Sequence, residues 1–437
     1  MCDSFFSTLE TLTDSLWFPV GVCFVLLLGL YLSIRARFVQ FRKFPTVINI
    51  FISFLGKTSG EERGIHPLKA MFAALGGCIG LGNVVAIVVA VQLGGPGSLF
   101  WVWVAGFMGM VIKYSEVYLG MIFRVRNEVG SYDGGPMYYM RKAFNARWVV
   151  PGVCVLLCLY GVEVFMYNAM TESISHNWHI NKYLVAGILL VLVLLAGSGG
   201  VQRVGNLCST IVPLFLVLYS GMALWVLLLN LDAVPSVFEM IFRSAFTGHA
   251  AIGGFAGASV MAAIGQGIAK GCYSGDIAIG YASVIHSESS TQLPAKQASL
   301  TILAIFLDTF VVCSTSVILV LITGTWREDI PASLLVQHSL GLYFPYMNFF
   351  MPFFLFLLGY STMIAYFCVG LKCAHHISQR WGKKLYYIYT VLILATFSIV
   401  GSPESAFIVM SLVGVCLLFS NMIAIFKLRH HLSFDID

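Results

Sequence analysis

Residues 76–83 read GGCIGLGN, four glycines and a terminal asparagine set in the middle of an apolar run, 67–94. That run is long enough to cross a hydrocarbon core of roughly 30 Å. Glycine is a poor helix former, so its concentration at mid-span needs a reason. In hydrocarbon an unpaired backbone N–H or C=O is too costly to leave bare. A spanning helix can unwind only where it lines a protein cavity. Glycine lowers the cost of the break and lets a ligand approach the backbone. The freed N–H groups suit a carboxylate and the freed carbonyls suit a cation. Small residues also serve close helix packing, and one such cluster alone does not decide between the two uses.

A second cluster lies in the run 251–285, which begins AIGGFAGASVMAAIGQG. Eleven spans are predicted, at about 16–34, 67–94, 98–123, 148–173, 183–198, 205–231, 251–285, 297–323, 348–371, 385–400 and 403–426. The two glycine-rich spans are five apart, so they cross in opposite directions. Interrupted segments at matching places in two inverted halves point to a secondary transporter with its site near the midplane. The predicted organisation is an extra N-terminal span with its linker (1–66), two five-span repeats (67–231 and 251–427) and a short tail (428–437).

Composition agrees with a membrane protein. Of 437 residues 59% are hydrophobic and 10% charged, against roughly 25% charged in a soluble chain. Lys and Arg set the expected orientation, since cytoplasmic loops carry the excess. Twenty fall on one set of alternate loops, three (Lys182, Arg243 and Arg327) on the other, and Lys113 and Lys270 within spans. The N-terminus is therefore expected outside and the C-terminus in the cytoplasm of a bacterial inner membrane. The net charge of +5 reflects this topology and suggests no nucleic acid. The segment FVQFRKFPTVINIFISFL, 38–55, suits the membrane surface as an amphipathic element. No HExxH, no GxSxG and no paired intramembrane aspartates argue for an enzyme, and two unlike broken helices do not make a channel filter. No cofactor and no obligate protein partner is implied.

Ionisable residues within spans are costly and are functional candidates. Lys113 and Glu116, three apart on one helix face, predict a mutual salt bridge. Lys270 and Asp276 are placed as inner-gate or structural groups. Glu163 lies on a helix expected to line the site, as a carboxyl able to carry a proton or to hold a structural hydrogen bond. Asp308, in FLDTF, has no assigned role.

The chain resembles the sodium:alanine (alanine or glycine:cation) symporter family. The resemblance rests on GLGNVVAIVVAVQLGGPGSLFWVWVAGFMGMVIKYSEVYLG, on DGGPMYYMRKAF, on AFTGHAAIGGFAGASVMAAIGQGIAKG and on YSTMIAYFCVGLKC, and it spans nearly the whole sequence. It implies an all-α integral membrane fold similar to that of the bacterial leucine transporter. Ten core helices form two inverted sets of five, with the first and sixth discontinuous. It also implies Na⁺-coupled uptake of a small neutral amino acid, alanine (L or D) or glycine. By this resemblance Leu81 and Gly82 meet the substrate carboxylate and Asn83 faces the substrate or a second ion. A broken stretch from Ala263 to Gly267, with Gly265 and Gln266, faces the substrate from the other side. A Na⁺ site is implied at the carbonyls of Gly76, Ile79 and Leu358 and the hydroxyls of Ser361 and Thr362. The sequence departs from the family pattern at Leu81 (usually Thr), at Tyr167-Asn168-Ala169 (Gln-x-Asn), at Gly275-Asp276-Ile277-Ala278 (Asn-Glu-Ala-Gly) and at Tyr366 (Trp). These departures gather at the substrate side and leave the Ser-Thr pair intact.

Overall fold

The computed structural model describes residues 2–56, 64–127, 130–247, 260–328, 330–400 and 403–436. The described chain is helical apart from a two-residue hairpin, Val125–Arg126 paired with Tyr132–Asp133. Among the described residues seven helices are long and apolar enough to cross a membrane, eight if the pair Pro67–Cys78 and Gly82–Gly94, bent by 48°, is one span. The predicted spans at 183–198 and 385–400 fall on Lys182–Gly197 and Gly382–Val400. The span expected at 251–285 appears as Val260–Ser274 and Tyr281–His286, and its glycines at 253, 254 and 257 lie outside the described residues.

Large apolar side chains such as Leu27, Leu195, Val217 and Ile388 stand exposed on outward helix faces, as they should where the surrounding solvent is lipid. Between helices the contacts are made by small residues, which let backbones approach. A Cβ on Gly267 would stand 2.5 Å from the Ser98 carbonyl, and one on Gly106 2.6 Å from Thr309. The helix Ser98–Ile122 packs against Val260–Ser274 and Pro294–Ile305, and Pro67–Cys78 against Gly200–Leu229. The segment at 38–55 forms the helices Val39–Arg42 and Phe44–Leu55, whose Val47, Ile50 and Phe54 are buried. Phe44 and Phe51 in that segment meet Phe306 and Phe72.

Candidate functional site

Three helix breaks converge on one small cavity. At the first, the Pro67–Cys78 helix ends at Ile79, whose backbone turns extended (φ −75°, ψ 94°) before a wide turn begins at Gly82. Asn83 stitches this break together: Gly80 N donates to its Oδ1 at 3.0 Å. At the second, Val149–Tyr160 gives way to Val164–Trp178 through Gly161, Val162 and a left-handed Glu163 (φ 49°). At the third, Val260–Ser274 gives way to Tyr281–His286 through residues 275–280, with Asp276 (φ 47°) and Ala278 (φ 59°) left-handed.

Each break sends side chains or bare backbone to the cavity: Cys78 and Gly82, Tyr160 and Glu163, Ser274 and Asp276. Tyr273 and Met166 add to the wall, and the unbroken Met347–Ile377 helix contributes Thr362 and Tyr366. The space is tight, with room for about one water molecule. Its walls carry four buried oxygens without a hydrogen-bond partner: Glu163 Oε2, Asp276 Oδ2 and the hydroxyls of Tyr273 and Tyr366. Buried polar atoms are nearly always paired, so four unpaired ones on one wall mark a place built for a polar ligand.

The four glycines at 76–82 do different jobs. A Cβ on Gly76 would stand 2.6 Å from Cys208 Sγ, one on Gly77 would collide with the Tyr281 hydroxyl, and one on Gly80 would stand 2.7 Å from Thr362 Oγ1. These three serve close approach. Gly82 alone has ordinary clearance, 3.6 Å to Tyr273 and 3.7 Å to Ser274, and it borders the cavity.

Beside the cavity the hydroxyls of Ser361 and Thr362 meet two carbonyls. Each lies 3.1 Å from Gly76 O, and they lie 2.8 and 3.1 Å from Leu358 O. Ser361 and Thr362 are both buried. Four oxygens without formal charge converge here, a donor set that suits a hard monovalent cation.

The structure separates the other sequence-based candidates. Gly82, Tyr366, Thr362, Glu163 and Asp276 come together at the cavity. Tyr167 turns away and donates to Ala186 O at 2.7 Å. Asn83 donates to Asp308 Oδ1 at 2.6 Å instead of lining the cavity, which gives Asp308 a partner at the break. Leu81 is buried in the apolar core. Ala263–Gly267 is helical, so the expected break there is displaced to 275–280; a Cβ on Gly265 would meet Phe18 at 3.1 Å, and Gln266 does not line the cavity. Lys270 lies 4.0 Å over the Phe407 ring.

The predicted Lys113–Glu116 salt bridge is also replaced. Both residues reach from Ser98–Ile122 to the third break. Lys113 Nζ donates to Gly275 O at 2.8 Å and to Cys78 Sγ at 2.7 Å. Glu116 accepts from Gly280 N at 3.1 Å and Ser283 N at 3.2 Å. A cation thus meets the carbonyl end of one half-helix and a carboxylate meets the N–H end of the next, as the peptide dipoles require. The i, i+3 spacing signalled only that the two side chains share a face.

On the basic side of the sequence a second set of polar contacts joins the same elements. Lys372 pairs with Asp133 at 2.7 Å and with Glu288. Arg124 donates to the carbonyls of Ser287, Ser289 and Thr291 at 3.1, 2.7 and 2.9 Å. This accounts for the run DGGP: Asp133 takes the lysine, Gly135 (φ 102°) passes against the Val284 backbone, and Pro136 starts the helix Pro136–Ala143.

The sodium:alanine symporter family matches residues 3–435. The chain belongs to that family. Among similar members, a transporter of Bacillus subtilis strain 168, YflA, is 32% identical over 96% of this chain and 90% of its own length. The sodium/alanine symporter AgcS of Methanococcus maripaludis is 27% identical over 89% of this chain and 87% of its own. A solved structure of MhsT with L-phenylalanine covers 84% of this chain and 89% of that one, with a TM-score of 0.58 at 16% identity. That likeness is one of fold, of the leucine-transporter type. As a family member the chain is a multi-pass membrane transporter of the amino-acid:cation symporter class, and its relatives are transporters and not enzymes.

Proposed function

We propose that the protein couples the inward movement of Na⁺ to uptake of a small neutral amino acid, alanine or glycine first, across a bacterial cytoplasmic membrane. The observation that carries this reading is the adjacency of two sites sharing Thr362: an uncharged cluster of four oxygens, and a cavity with four unpaired polar oxygens. Gly82 and the backbone about the first break supply N–H groups for the substrate carboxylate, and the Asp276 carboxylate accepts from its ammonium, with Glu163 on the same wall. Na⁺ sits among Ser361, Thr362, Gly76 and Leu358, with the carbonyl of Ile79 freed by the break. Ion binding replaces hydroxyl-to-carbonyl contacts that now join the broken span to the Met347–Ile377 helix, so it sets the geometry of the break that the substrate meets. The N-terminus is placed outside and the C-terminus inside, with the Lys372 and Arg124 contacts at the cytoplasmic end. The two-repeat division at 67–231 and 251–427 belongs to this reading.

A second reading is a proton-coupled carrier. Glu163 favours it, as a buried carboxyl with an unpaired oxygen on the cavity wall. Uptake of labelled alanine and glycine into proteoliposomes under separate Na⁺ and H⁺ gradients decides between the two. Accumulation driven by Na⁺ alone supports the first, and accumulation driven by H⁺ alone overturns it in favour of Glu163. Failure of every small zwitterion to accumulate or compete removes both.

A further inference from the structure

The cavity wall carries an excess of acceptors. Among the described residues lining it, Glu163 and Asp276 are the only charged ones, and both are carboxylates. Each is buried and each leaves an oxygen unpaired. Each also sits on left-handed backbone at a helix break, a region that Asp enters readily and Glu seldom does, so the strain falls on Glu163. Strain and an unpaired buried polar atom at the same residue are what a ligand contact leaves behind when the ligand is what satisfies the group. Both signs meet at Glu163, and Asp276 adds a second carboxylate with an unpaired oxygen on the same wall.

The cation nearest this wall does not answer them equally. Lys113 is committed to Gly275 O and Cys78 Sγ, at the third break, where it neighbours Asp276. Glu163 stands on the second break, on a different helix. A buried carboxylate without a counter-charge is costly and is tolerated when a partner arrives. A neutral amino acid brings one ammonium group. Two carboxylates on two separate breaks can accommodate a second.

We propose that, beyond a neutral amino acid, this cavity takes a short diamino acid, with Glu163 receiving the second, side-chain ammonium and Asp276 the α-ammonium. Glu163 then sets the choice between a neutral and a cationic substrate: it is paired by the second ammonium in one case and carries its own proton in the other. The two tyrosine hydroxyls, Tyr273 and Tyr366, lie unpaired on the same wall and serve either substrate.

This inference rests on the cavity being the amino-acid site, and its test separates the two. Purified full-length protein in proteoliposomes is assayed for competition against labelled alanine by 2,4-diaminobutyrate and by 2-aminobutyrate, which has the same carbon skeleton without the second amine. A hydrogen bond to a charged partner is worth about 1.5–3 kcal/mol, so diaminobutyrate should compete about tenfold or more better than aminobutyrate. In Glu163→Gln that ratio should collapse toward one or invert. Aminobutyrate competing as well as or better than diaminobutyrate on the wild type overturns the inference and leaves the amino-acid reading standing. A wild-type preference that survives Glu163→Gln overturns the assignment to Glu163. No competition by alanine or either analogue overturns the reading of the cavity itself. The wild-type comparison needs no variant, so it decides the substrate class even if Glu163→Gln does not fold.

Discussion

Gly77 and Gly82 lie five residues apart, and exchange of each for alanine should produce opposite phenotypes. A methyl on Gly77 would run into the Tyr281 hydroxyl. That ring cannot retreat easily: it donates to Ala73 O at 3.0 Å and stacks on Tyr366 with centroids 4.0 Å apart. Overpacking of a fixed neighbour costs about 1–3 kcal/mol, so Gly77→Ala should lower the thermal midpoint of the purified protein. A methyl on Gly82 meets its nearest atoms at 3.6 and 3.7 Å, ordinary contact. Gly82→Ala should keep the thermal midpoint or raise it, since alanine outranks glycine in a helix by about 1 kcal/mol. The added methyl borders the tight cavity, and there the same overpacking falls on the bound ligand. Half-saturation for the amino acid should rise about five- to 150-fold, the equivalent of about 1–3 kcal/mol. Gly82→Leu should abolish transport while the protein still folds. Thermal midpoint and uptake must be read on the same preparation. A stable Gly82→Ala protein with wild-type half-saturation, or a Gly82→Ala protein as destabilised as Gly77→Ala, refutes the placement of the ligand.

Thr362→Ala removes one of four oxygens from the proposed ion site, so the Na⁺ concentration for half-maximal uptake should rise about tenfold or more; an unchanged Na⁺ dependence would move the ion elsewhere. Glu116→Ala leaves the N–H groups of Gly280 and Ser283 without an acceptor in a buried place. That should destabilise the protein by about 2 kcal/mol or more, seen as a lowered thermal midpoint, and a wild-type midpoint would mean the break supports itself. Lys372→Met leaves Asp133 and Glu288 as neighbouring carboxylates with no cation between them. The thermal midpoint of the purified protein should fall, whereas a wild-type midpoint would show that this triad adds little to stability.

The sequence exposed some of this architecture because some of it is local. Ser361 and Thr362 are adjacent hydroxyls one turn after Leu358, and a single helix brings all three together. The run 76–83 announces a break, since four glycines and Asn83 are poor material for an uninterrupted helix. What stayed hidden depends on contacts between helices. The glycines of 263–267 look like a break and are packing points: Gly267 lies against Ser98, Gly265 against Phe18. The true break at 275–280 is written in ordinary residues, Asp276 and Ala278 among them, and is held open by Lys113 and Glu116 from another helix. The break before Val164 has only Gly161 to mark it. The family resemblance places Asn83 at the ligand, but its side chain accepts from Gly80 N–H, 3 residues away, and donates to Asp308, 225 residues away, and the second partner cannot be read along the chain.

The support of the third break from behind has an evolutionary consequence. The groups that terminate its two half-helices, Lys113 and Glu116, belong to Ser98–Ile122 and bond main-chain atoms at that break, the Gly275 carbonyl and the N–H groups of Gly280 and Ser283. Main-chain atoms are the same whatever side chain follows them. The bend is therefore anchored apart from the residues that look inward from it, and under the proposed placement of the substrate an exchange at position 276 can alter what is carried while that anchorage stays. Selectivity in such a molecule is free to drift, one inward-facing residue at a time, over a hinge whose anchorage stays put.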